Sequence, residues 1–133
     1  MFSGLIFNIF ILMSKKECIF CRIVKGEVSS EILYQDDLVI AFPDVNPSAP
    51  VHVLVIPKEH IESVNQLTKS EKHEKVAGRL ILAAKQIAQE KGIAEDGYKL
   101  LLRTGKHGGQ EIPHIHLHLF GGAQLSEDIR PLN

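Results

Sequence analysis

His114-Ile115-His116-Leu117-His118-Leu119-Phe120 is the stretch on which the fold turns. Apolar and imidazole side chains alternate along it, and alternation with a period of two is a strand pattern, because successive Cβ atoms point to opposite faces. Read as one strand, it sets His114, His116 and His118 on one face, each about 6.7 Å from the next, with Ile115, Leu117 and Leu119 on the other. Gly121-Gly122 ends it. The sheet that holds it has an apolar back, fit for a core, and an imidazole front. Histidine titrates near neutrality and ligates metals, so three imidazoles on one face are a surface for chemistry. Two uses compete: proton transfer, and shared Zn²⁺ ligation that would make a hydrolytic centre.

Upstream, Lys106-His107-Gly108-Gly109-Gln110 belongs to a glycine-rich loop over Gly105–Gln110. Glycine permits the left-handed backbone that turns consecutive N–H groups toward an anion, so a phosphate can rest there. Tyr98–Leu102 reads as a strand before that loop, and Val51–Ile56, strongly β-branched and closed by Pro57, as another. His52 shares a strand face with Leu54 and Ile56, which puts a fourth imidazole beside a partly apolar cleft, although packing alone would also explain it. Ile32–Tyr34 and Leu38–Phe42 flank Gln35-Asp36-Asp37 as a hairpin. Asp44-Val45-Asn46-Pro47-Ser48-Ala49-Pro50 is a loop, since two prolines interrupt any ladder. Asp44 offers two acceptor oxygens, suited to a pair of sugar hydroxyls or to turn formation.

Two helices complete the pattern. Glu17–Lys25 carries Ile19, Phe20, Ile23 and Val24 on one side and stops at Gly26. Lys69–Lys91 has Val76, Leu80, Ala83 and Ile87 on one face, a T-x-x-E capping box at Thr68 and Glu71, and Gly92 as its stop. Strands joined by turns, with helices at one end and in the middle, predict an α+β fold with an antiparallel sheet of about five strands. Open sheet edges in so small a protein favour a homodimer.

The 133 residues suit one domain, expected over residues 13–133 after an apolar extension at residues 1–12. That extension reaches about 18 Å as a helix, too short for a stable membrane span, and it lacks a basic n-region and a cleavage site. Met13-Ser-Lys-Lys-Glu reads as an alternative initiation site, with weak membrane association the competing reading. Lys+Arg 15 against Asp+Glu 16 gives no field that would draw nucleic acid. Two cysteines, Cys18 and Cys21, are too few for a disulfide scaffold and point to a reducing, cytoplasmic setting.

With these residues quoted, the chain resembles the histidine triad (HIT) superfamily, and its Hint branch in particular. His114–Phe120 is similar to the H-φ-H-φ-H-φ-φ signature, and Gly108-Gly109-Gln110, Phe42-Pro43-Asp44, Pro47–His52 and Val55–His60 are similar to the branch's flanking segments. The resemblance spans roughly Cys18 to Gly122. It implies a HIT-like fold, a homodimer whose sheets join across a two-fold axis, and a hydrolase that cleaves purine nucleoside phosphoramidates of the AMP-amine type. By position, it makes His116 the nucleophile at the α-phosphorus, with His52, His114 and His118 supporting phosphate and proton handling. Phe20, Val28, Phe42, Asp44 and Val45 would line the nucleoside pocket, and Arg103, Gly109, Gln110 and Glu111 would join His116 and His118 in contacting the nucleotide.

The chemistry is consistent with that role. A neutral imidazole attacks phosphorus when one nitrogen is bare and its other N–H is held by an acceptor, which splits one substitution into two through a nucleotidyl-histidine. Departures from the branch fall on one side: Arg103 stands where Asn is expected, Glu111 where animal members carry Ser, Pro113 in place of an aromatic, and Ser126–Asn133 lacks the expected Trp. In some microbial relatives, a C-x-x-C pair joins the His after Pro-Lys-x and the first triad His around zinc. Here that set is Cys18, Cys21, His60 and His114, apt for a structural Zn²⁺ not required for catalysis; thiols without metal are the alternative, and a thioredoxin-like role lacks its βαβ context. A non-catalytic nucleotide-binding scaffold and a zinc-dependent hydrolase using the triad as ligands are the competing functions. His118 stands where the nucleotidyltransferase branch carries Gln.

Overall fold

The computed structural model describes residues 17–132. The apolar extension at residues 1–12, the start at Met13 and the terminal Asn133 lie outside the described residues. Helix α1, Ile19–Val24, is followed by β1 (Tyr34–Gln35), β2 (Val39–Pro43), β3 (Val51–Pro57), a 3₁₀ turn at Val64–Gln66, helix α2 (Glu71–Glu90), β4 (Tyr98–Leu102) and β5 (Leu117–Gly121). The strands form one sheet in the order β1-β2-β3-β5-β4, antiparallel throughout. The α+β expectation holds, with five strands and two α-helices among the described residues.

Alternation along the strands divides the molecule into two layers of packing. Val39, Ala41, Val53, Val55, Leu117 and Leu119 face α2, which contributes Val76, Leu80, Ala83, Ala84, Ile87 and Ala88 to the same core. Each full-sized aliphatic buried there is worth about 1.5–3 kcal/mol, so the α2 face is the principal source of stability. The opposite face carries Ile40, Phe42, Leu54 and Ile56, packed against Cys18, Phe20 and Cys21 at α1. Because α1 is only 6 residues long, it covers the β2–β3 half of that face and leaves His52, His118 and Phe120 beside it.

Local chemistry sets the boundaries. Both helices stop where glycine supplies a positive φ, 76° at Gly26 and 74° at Gly92. The cap of α2 differs from the T-x-x-E reading: Ser70 is the N-cap, accepting from His73 N–H, while the Thr68 hydroxyl donates to Ser70 Oγ at 2.8 Å. Two oxygen side chains in sequence compete for one cap, and the one nearer the first turn takes it. The β1–β2 turn is closed by Asp36, whose Oδ1 accepts from Leu38 and Val39 N–H at 2.8 and 3.0 Å. Arg79 of α2 donates to Asp36 Oδ2 at 2.8 Å, pinning that turn to the helix.

The decisive stretch is corrected in one respect: β5 begins at Leu117, so His114 and His116 precede it. The register explains why. Val55 pairs with Leu117, and the next steps along β3 lead to Pro57, which has no N–H to extend a ladder and whose carbonyl is taken by the His114 ring at 2.8 Å. Ile115 N–H turns instead to Ile61 O at 2.8 Å.

Candidate active site

A cleft of about 700 Å³ opens on the imidazole side of the sheet. Ile19, Phe20 and Ile23 of α1, Val28, and Phe42, Asp44 and Val45 at the end of β2 line one end. His52, His116 and His118 lie across its floor, and Arg103, Gly109 and Glu111 close the end nearer β4. A separate groove of about 810 Å³ along α2, bordered by Asp37, Glu71, Lys75 and Arg79, contains none of the histidines.

Backbone partners that can only donate or only accept fix the protons of His116 and His52, and His52 in turn fixes that of His118. His116 Nδ1 lies 2.8 Å from His114 O, and a carbonyl only accepts, so Nδ1 carries the proton and the Nε2 of the neutral ring is bare. Burial holds His116 below the ordinary histidine range, the bond to His114 opposing it, so the bare state prevails at neutral pH. Ser48 N–H donates to His52 Nδ1 at 3.0 Å, which leaves the His52 proton on Nε2. That Nε2–H reaches His118 Nδ1 at 2.9 Å and lies 3.4 Å from Asp44 Oδ2. His118 therefore carries its own proton on Nε2. Burial pushes His118 down to about 4, helped by His116, Arg103 and His52 and opposed by Asp44. His52 is lowered in the same direction, by burial first. Phe120 stacks on His118, 5.3 Å between centroids at 3°, and lies 4.2 Å from the His52 ring, so the relay rests on an apolar platform.

His114 is placed elsewhere. Its ring is fully buried outside the cleft lining, with Nε2 donating to Pro57 O and Nδ1 directed at Cys18 Sγ (3.4 Å) and Cys21 Sγ (3.5 Å). His60 Nδ1 stands 3.1 Å from Cys21 Sγ, and the four ligand atoms of Cys18, Cys21, His60 and His114 lie within 4.8 Å of one another. Tetrahedral zinc with Zn–S near 2.3 Å and Zn–N near 2.0 Å requires S···N edges of about 3.5 Å, so the donor set fits a closed Cys₂His₂ centre. The Pro57 carbonyl supplies the outer partner that fixes a ligating tautomer. This corrects two readings. The His114 ring does not share the cleft floor with His116 and His118, and the three rings do not converge on one point. Asp44, His52 and His118 also cluster within 4.8 Å among the described residues, but their 2.9 Å imidazole contact is a hydrogen-bond distance.

The loop divides its residues between lining and bracing. Gly109 and Glu111 reach the cleft, whereas Gln110 is buried and does not. Its amide donates to Glu62 O at 2.7 Å and Ile112 O at 2.9 Å, and its Oε1 accepts from Gly105 N–H at 3.2 Å, so the Gln110 side chain holds the loop's shape. At Gly108 an added Cβ would meet Thr104 O at 2.3 Å, a backbone atom that cannot yield, so only glycine fits. Arg103 crosses the cleft end with its NH1 group 3.3 Å from His118 Nε2. The sequence pattern misses Ser48, Leu54 and Phe120 as site residues. Leu54 and Phe120 share the His52 and His118 face by alternation and could have been found from it, while the role of Ser48 rests on a backbone N–H that no residue pattern marks.

The HIT domain family model matches residues 25–125. The chain is 52% identical over 110 residues, 83% of this chain and 91% of the other, to the purine nucleoside phosphoramidase of Escherichia coli (strain K12). It is 41% identical over 108 residues, 81% of this chain and 84% of the other, to a 14 kDa zinc-binding protein of Zea mays. Among solved structures, a HIT family hydrolase from Clostridium thermocellum superposes with a TM-score of 0.82 at 43% identity, covering 88% of this chain and 100% of that one. The chain belongs to the HIT domain family, and its relatives include hydrolases of that family.

Proposed function

We propose that this protein hydrolyses purine nucleoside phosphoramidates at the α-phosphorus, with His116 as the nucleophile. The observation that carries the reading is the bare Nε2 of a buried, neutral His116 whose Nδ1–H is held by His114 O. The apolar end around Phe20, Val28, Phe42 and Val45 suits a purine, and Asp44 between that end and the histidines suits ribose hydroxyls. With the nucleoside so seated, the phosphoryl group lies over the histidines. His116 Nε2 forms a bond to phosphorus as the P–N bond breaks, and the leaving nitrogen takes up a proton from solvent water and departs as an amine. Water then attacks the nucleotidyl-histidine, releases the nucleoside monophosphate and returns that proton. His118 Nε2–H and Gly109 border the position where phosphoryl charge grows, the usual place for large electrostatic stabilisation.

Cys18, Cys21, His60 and His114 would hold a structural zinc ion, which would supply folding energy and fix the His114 segment. His114 then acts on catalysis through its carbonyl, by orienting His116, and not through its ring. The homodimer is likewise part of this reading: β4 is the long open edge of the sheet, and continuing the ladder across a two-fold axis would close it.

Turnover of an AMP-amine compound by the full chain, with and without chelator, tests the reading. The expected result is turnover that does not require free metal, with about one zinc per chain by elemental analysis, lost with a lowered unfolding temperature in the Cys18→Ser/Cys21→Ser double variant. No turnover would favour a nucleotide-binding scaffold. Turnover abolished by chelation with the fold intact would favour a metal hydrolase.

A further inference from the structure

The proton inventory of the cleft leaves one contact unexplained. Ser48 N–H fixes His52 as the Nε2–H tautomer, which fixes His118 as the Nε2–H tautomer in turn. His118 Nε2–H then faces the Arg103 guanidinium at 3.3 Å, a donor against a donor. Two converging donors with no acceptor between them are a receptor for an anionic oxygen. Arg103 forms no ion pair with a carboxylate among the described residues: Asp44 is engaged with His52, and Glu111, on the same rim, is exposed to solvent while Arg103 is half-buried.

Sheet order says which part of a substrate Arg103 meets. The nucleoside end is built on α1 and β2, the histidines stand on or beside β3 and β5, and Arg103 follows the end of β4, the strand beyond β5. A substrate laid from purine to phosphorus along this cleft sends its leaving group toward Arg103. We propose that Arg103 sets leaving-group specificity, favouring nucleoside phosphoryl substrates whose leaving group carries a negative charge over those whose leaving group carries a positive one. This rests on the seating described under the proposed function and adds the charge of the group expelled. A permanently charged guanidinium beside a cleft of low dielectric discriminates between charge signs at several ångströms, by roughly tenfold after solvent screening.

A matched pair of substrates tests it: AMP joined through nitrogen to β-alanine, which ends in a carboxylate, and AMP joined to ethylenediamine, which ends in an ammonium. The full chain should favour the carboxylate compound by about tenfold in kcat/KM. Arg103→Asn should bring the ratio close to one, and Arg103→Lys should retain part of it, whereas a merely structural role would lower both substrates together and leave the ratio unchanged. An unaltered ratio in Arg103→Asn, or a preference of the unmodified protein for the ammonium compound, would overturn the inference. If the unmodified protein turns over neither compound, the phosphoramidase reading fails. The ratio is then read from the relative affinities of the two compounds by calorimetry on the same three proteins, so the specificity claim is decided separately.

Discussion

His118 takes its tautomer from His52 on β3 and its electrostatic surroundings from His52, His116 just before β5 and Arg103 after β4, with Asp44 behind His52. Burial is the largest cause of its low proton affinity, about 4 against an ordinary 6.5. The sign of the pH effect follows. Since the folded value lies below the unfolded one, the unfolded chain takes the proton more readily as pH falls, so stability is complete above about pH 6.5 and is lost as pH drops toward 4. His52 shifts in the same direction. The midpoint of urea unfolding should be level above pH 7 and decline between pH 6.5 and 4, with a shallower decline in His118→Asn. A midpoint that rises through that window would contradict this account. At this scale the sequence conveyed the identity of the reactive groups but not their orientation. His114 and His116 are two residues apart, yet one ring faces two cysteines and the other faces the cleft, because Pro57 O and His114 O accept from different ring nitrogens.

Among the elements, β2, β3 and β4 were legible because their residues alternate or are β-branched, and α2 because its apolar stripe repeats every three to four residues. Ends were less legible, since they depend on competition between adjacent partners: Ser70 against Thr68 for the α2 cap, and Pro57 against the β5 ladder. The bracing role of the Gln110 side chain was illegible for a similar reason, since its three hydrogen bonds are to backbone groups distant from it or across its own loop. The strand with most consequence beyond the single chain is β4. It is five residues long and paired with β5 on one side only, whereas the opposite edge, β1, has two residues and offers little to extend. An unpaired edge of that length is a template for a second copy. Sedimentation of the full chain at micromolar concentration should give the mass of a dimer, and a monomeric mass across that range would count against a joined sheet.

For the whole molecule, the sheet separates stability from chemistry. Its α2 face carries the larger core, and its other face carries a short helix, a cleft and a cluster of cysteines and histidines suited to metal. No helix among the described residues is long and apolar enough to cross a membrane. The segment between Pro113 and Leu117 joins the two halves of the second face, since His114 belongs to the thiol cluster by its ring and to the cleft by its carbonyl. The central claim is that His116 attacks phosphorus and passes through a covalent nucleotidyl intermediate, and acid-sensitive trapping tests it most directly. Full-length protein quenched during turnover of an AMP-amine substrate should carry one acid-labile nucleotide on the peptide containing His116, and His116→Ala should bind AMP while losing at least a thousandfold in kcat, on the order expected for removal of a nucleophile. Absence of the adduct together with near-normal turnover in His116→Ala would contradict the account.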